Sequence, residues 1–139
     1  RLADRTGGGV ALGVLWRRHV CYLFHGRPDE APLAAVAGHN LYPAEHSSNG
    51  KALLAEQSNE AVRRRFADSD VDVEALLDEL ETVRRQGYAV NRAQSLAVKV
   101  GEPAVAALAV VKDVAPGNRD ELLIAVTDAA AEIVSRLRS

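Results

Sequence analysis

Cys21 and the four histidines, His19, His25, His39 and His46, are the residue types best suited to bind a metal or to serve as nucleophile and base. Zinc ligands normally come as two tight pairs, C-x2–4-C or H-x3–5-H. Cys21 and His25 make one such pair, and no second pair of comparable spacing accompanies it. Strand alternation would set Cys21, Leu23 and His25 on one face, which makes a buried thiol the plainer expectation. The sequence has no G-x-S-x-G elbow, H-E-x-x-H helix or P-loop, and Cys21 would meet a histidine only by accident of the fold. Glu79 and Glu81 lie two apart in a helical stretch and so point to different faces. The expectation is a protein with no catalytic set, metal or cofactor. The remaining polar concentration is Ser47-Ser48-Asn49-Gly50. Oxygens of this kind cap helices, and free backbone N–H groups at a helix start can also receive an anionic or carbonyl group of a ligand.

The elements that must position these residues follow from apolar patterning. Val10 to Trp16 and Val20 to Phe24 are β-rich runs around a short polar break, which reads as a hairpin after the flexible Gly7-Gly8-Gly9. Residues 26–43 carry three prolines and two glycines and read as a loop with at most one short strand, over Leu33 to Ala37. Ser47-Ser48-Asn49 precedes the strong helix formers Lys51 to Glu56, and Ser58 or Asn59 caps a second helix running to Phe66. A third starts at Asp70 or Asp72. Its stripe of Val73, Leu76, Leu77, Leu80 and Val83 has helical spacing, and Gly87 ends it behind Arg84 and Arg85. Tyr88 to Asn91, Ser95 to Val100 and Ala104 to Val111 read as strands, and Asp120 to Leu137 as a final helix. In that helix Ala129-Ala130-Ala131 could touch another subunit, but its apolar stripe needs only the sheet as a partner. Grouped strands and grouped helices argue for an α+β fold with an antiparallel sheet.

At 139 residues the chain suits one domain, and 47% hydrophobic with 26% charged residues suits a soluble globular one. No apolar run reaches the roughly 18–20 residues that span a bilayer, so no membrane partner is expected. A single cysteine fits a reducing, cytoplasmic setting. Seventeen Lys plus Arg against 19 Asp plus Glu leave no basic excess. Phosphate neutralisation supplies most non-specific affinity for DNA, so this chain is not expected to grip DNA by itself. A start at Arg1 instead of Met leads us to expect a piece of a longer protein.

His46-Ser47-Ser48-Asn49-Gly50-Lys51-Ala52-Leu53-Leu54-Ala55 resembles the effector-binding domain of IclR-type bacterial transcription regulators, which typically carry a histidine, small polar residues and then Gly-Lys-Ala-Leu-Leu-Ala. Leu80 to Ala89, ending in Arg84-Arg85-Gln86-Gly87-Tyr88-Ala89, resembles a second family stretch, and Val105 to Val110 is similar to its last core strand. The matches keep the family's order over about residues 8–137. The resemblance implies a GAF-like fold, a curved antiparallel sheet of five or six strands with helices on both sides. It also implies a single ligand-sensing domain over residues 1–139 that forms homodimers or tetramers, with operator DNA met only by a winged helix-turn-helix domain outside this chain. It places effector contacts at Ser47, Ser48, Asn49 and Gly50, at Asn91, where relatives often have an acid, and at Ser95, often Cys or Ser. The positions of Ala109 and Val111 are often Ser in the family. Here they are apolar, which points to an apolar or aromatic effector or to a site with little affinity left, since a small organic acid would find few hydroxyl partners there. Lys51 is read as solvated or salt-bridged. The rival readings are a stand-alone GAF-like sensor or scaffold without DNA and, less supported, a small hydrolase or isomerase using the same cavity.

Overall fold

In a computed structural model describing residues 2–26 and 41–138, the two apolar runs around Arg17-Arg18 pair as an antiparallel hairpin, β1 (Gly9–Trp16) and β2 (His19–Gly26). Their pairing slips between Leu12 and Gly13, where a bulge leaves Leu23 without a partner. The slip corrects the expected alternation. Cys21 pairs with Val14, which packs on one face of the sheet, whereas His25 pairs with Ala11, which packs on the other. The thiol is partly exposed, not buried. The expected strand over Leu33 to Ala37 lies outside the described residues. A short β3 (Leu41–Pro43) follows and pairs with β2.

A 3-10 turn (Ala44–His46) then leads into α2 (Ser48–Leu54), with Ser47 as its cap. α3 (Asn59–Arg65) and α4 (Val73–Gln86) follow, capped by the side chains of Ser58 and Asp72. Gly87 closes α4 at φ 86°, a left-handed conformation that glycine adopts without steric cost. β4 (Ala89–Asn91), β5 (Ser95–Val100) and β6 (Ala106–Val111) complete the sheet, and α5 (Arg119–Leu137) ends the fold. A short α1 (Leu2–Thr6), not foreseen from the sequence, precedes β1. The curled six-stranded sheet is antiparallel throughout, in the order β3-β2-β1-β6-β5-β4.

Helices cover both faces. On one face α2, α3 and α4 pack over Ala11, Ala97, Ala107 and Ala109, with Leu54, Phe66 and Leu80 filling the space between. On the other face Leu122, Val126 and Ala130 of α5, with Leu2 of α1, cover Leu96, Val98, Leu108 and Val110. Small sheet residues under α2 let it sit so low that all seven of its residues are buried. No helix among the described residues is long and apolar enough to cross a membrane.

Candidate functional site

The start of α2 is built from side chains that face inward. The Ser47 hydroxyl accepts from the Gly50 backbone N–H at 3.2 Å and lies 3.0 Å from the Tyr22 hydroxyl. Burial raises the Tyr22 pKa above its ordinary value, and the Ser47 hydrogen bond opposes the shift. The Ser95 hydroxyl donates to Ser48 Oγ at 2.8 Å. The Asn49 amide, 2% exposed, donates to two backbone carbonyls, Ala11 on β1 at 3.1 Å and Ala107 on β6 at 2.8 Å. At Gly50 a Cβ would fall 2.3 Å from the Ala44 carbonyl oxygen, so only glycine lets the 3-10 turn lie against the helix.

Register gathers the remaining residues inferred from the sequence. Asn91 pairs with Ser95, Ser95 with Val111, and Val111 with Gly9, in one row on the face that carries α2. The next row, Ala89, Ala97, Ala109 and Ala11, lies beneath the helix, with Ala109 only 1% exposed. Val111, in contrast, is 48% exposed. Ser95, Asn91 and Val111 thus form a rim with hydroxyl and amide groups beside an open apolar side chain, with the buried Ser48 hydroxyl behind Ser95, while Asn49, Gly50 and Ala109 lie in the packed interior.

Adjoining this rim at Asn91, a cleft of about 750 Å³ opens between the 3-10 turn, α4 and the β4 end. Of the eight residues inferred from the sequence, Asn91 is the one that lines it. Lys51, whose side chain is 8% exposed, donates to Asn91 Oδ1 at 2.9 Å and pairs with Glu79 at 2.6 Å. The Asn91 amide donates in turn to the His46 carbonyl at 3.0 Å. This salt-bridged state is one of the two expected for Lys51. Its burial was not, because the charge is matched by Glu79 on α4, 28 residues away in the chain. Tyr22 and Arg92 were also missed. Strand alternation and the turn residues after Asn91 were the only signals, and neither specifies a site. Among the described residues no group of three His, Cys, Asp or Glu side chains could hold a metal ion.

The family model for the C-terminal domain of the bacterial transcriptional regulator IclR matches residues 1–134. Among solved structures, the C-terminal domain of Escherichia coli KdgR is 21% identical with a TM-score of 0.79, over 96% of this chain and 90% of that one. The inducer-binding domain of PobR from Acinetobacter, a double mutant in complex with 3-hydroxybenzoic acid, is 20% identical with a TM-score of 0.78, over 96% and 91%. An IclR homologue from Microbacterium hydrocarbonoxydans, in complex with 4-hydroxybenzoate, is 25% identical with a TM-score of 0.79; the match covers 99% of this chain and 64% of that one. No curated protein matched the sequence.

Proposed function

The chain belongs to the IclR C-terminal family of bacterial transcriptional regulators, and from that premise we propose that it binds a small apolar or aromatic effector and transmits its presence to operator DNA. The DNA contact belongs to a winged helix-turn-helix domain elsewhere in the same protein, and the assembly is a homodimer or tetramer. Effector binding changes operator affinity only if it favours one arrangement of that assembly over another. No enzymatic step is assigned to the domain.

The observation that carries the reading is the rim: Val111, 48% exposed, sits in register with Ser95, whose hydroxyl meets Ser48, and Asn91 follows in the same row. We assign the effector to this rim, with Ser48 directly behind it and Ser47, Asn49, Gly50 and Ala109 forming the packed interior that supports it. An aromatic ring carrying one hydroxyl or carboxylate matches it. The ring lies on Val111, and its polar end meets Ser95, Ser48 or the Asn91 amide, which both donates and accepts. The hydroxybenzoates held by the Acinetobacter and Microbacterium relatives are aromatic rings that carry one of each group.

The test is calorimetric titration of 3- and 4-hydroxybenzoate into the domain and into Val111→Trp. Val111 is open enough for the variant to fold, and the indole should fill the rim and weaken binding at least tenfold. Equal binding by the variant would move the effector elsewhere.

A further inference from the structure

We propose that the cleft beside α2 is a second ligand site, which meets the effector rim only at Asn91, and that it takes a small zwitterion with an apolar body, of the α-amino-acid class. Its volume of about 750 Å³ lies within the roughly 300–1,000 Å³ typical of small-molecule sites.

Charges of both signs line it on different elements. Arg92 comes from the β4–β5 turn, and Asp70 from the loop between α3 and α4. Both are exposed, and neither makes an ion pair or a side-chain hydrogen bond among the described residues. Lys51 and Glu79 are spent on each other, Asp72 caps α4 through Ala75 N–H and Glu45 lies 3.9 Å from His46 Nε2, so Arg92 and Asp70 are the guanidinium and the carboxylate that the cleft retains uncommitted among the described residues. Between them Val71, Leu76 and Val90 supply apolar surface. A guanidinium receives a carboxylate through two parallel N–H donors, and a carboxylate receives an ammonium. A ligand bearing one group of each sign around a hydrocarbon side chain satisfies all three surfaces at once.

The backbone also holds Arg92 in place against its own preference. Arg92 and Ala93 have φ of 52° and 55°, in the left-handed region that costs side-chain-bearing residues energy. The turn persists because Gln94 N–H donates to the Asn91 carbonyl at 3.0 Å, and because the chain beyond β6 clasps it. Val114 N–H donates to the Ala93 carbonyl at 2.7 Å, and Lys112 N–H to the Gln94 carbonyl at 3.0 Å. Strain maintained by its surroundings in this way tends to gather at functional positions.

The experiment titrates leucine, methionine and phenylalanine into the domain by calorimetry, alongside N-acetyl-leucine and leucinamide, which each lack one charge. Saturable binding of at least one free amino acid is expected, weakened at least tenfold by blocking either end. Arg92→Gln and Asp70→Asn, which disturb no contact of the fold, should each weaken it to the same extent. Val111→Trp should leave it unchanged, which separates this site from the effector rim. Absence of saturable binding by all three amino acids, equal binding of the blocked derivatives, or full binding by Arg92→Gln would overturn the proposal.

Discussion

Asn49 shows how a residue that reads as a helix cap becomes a structural rivet. Its amide uses both protons on carbonyls 38 and 58 residues away, leaving no donor for a ligand. A buried acceptor stripped of its partner costs about 1–3 kcal/mol. Asn49→Ala is therefore expected to lower stability by about 2–4 kcal/mol, since two acceptors are stripped, as read by urea unfolding. At Gly50 the helix propensity of alanine would add about 1 kcal/mol. The Cβ would meet the Ala44 carbonyl oxygen at 2.3 Å, and overpacking of that kind costs about 1–3 kcal/mol or more. Gly50→Ala should therefore destabilise, and a gain in stability would show that the 3-10 turn moves away freely. The half-buried Tyr22 phenol has a raised pKa in the folded state. The sign follows: its contribution is fully present below the unfolded value near 10 and is lost as pH rises through the folded value. The alkaline fall in stability should be shallower in Tyr22→Phe, measured by unfolding at pH 8 and at pH values above 10.

At the scale of elements, α2 is a seven-residue helix, too short to be stable alone. Its place is set by the alanine rows beneath it and by Arg84 behind it. The Arg84 guanidinium donates to the Ala55 carbonyl at 2.9 Å, the Gln57 carbonyl at 2.8 Å and Asn59 Oδ1 at 2.8 Å, tying α4 to the link between α2 and α3. Arg84→Lys keeps the charge and loses the fork. It should cost about 1–2 kcal/mol, in line with losing one or two hydrogen bonds, and should speed amide exchange over α3 more than over β5. Three capped helices and five of the strands could be placed from sequence because caps, periodicity, β-rich runs and terminal glycines are local signals. The Leu12/Gly13 bulge could not, because nothing within β1 or β2 marks the residue that will lack a partner. That slip put Cys21 and His25 on opposite faces.

For the whole molecule, a ligand bound only by the folded state stabilises it by about 2.7 kcal/mol at one hundred times its dissociation constant. For a domain of this size that shifts the unfolding midpoint by roughly 5–10 °C. A hydroxybenzoate that binds the rim should raise the midpoint of the unmodified domain and raise that of Val111→Trp less, as read by calorimetry. The sequence by itself determined the fold class, the order of the elements apart from α1 and β3, and the family motif at His46 to Ala55. All three are written in periodicity and in short contiguous strings. Tertiary structure alone decided which side of that motif is open. Ser47, Ser48, Asn49 and Gly50 read alike as a polar string, but packing turns Asn49 inward to two strands, presses Gly50 against Ala44 and joins Ser48 to Ser95. Whether Lys51 meets solvent or Glu79 is settled by the docking of α4. Such choices depend on partners far along the chain, and no local pattern encodes a distance between residues that meet only after folding.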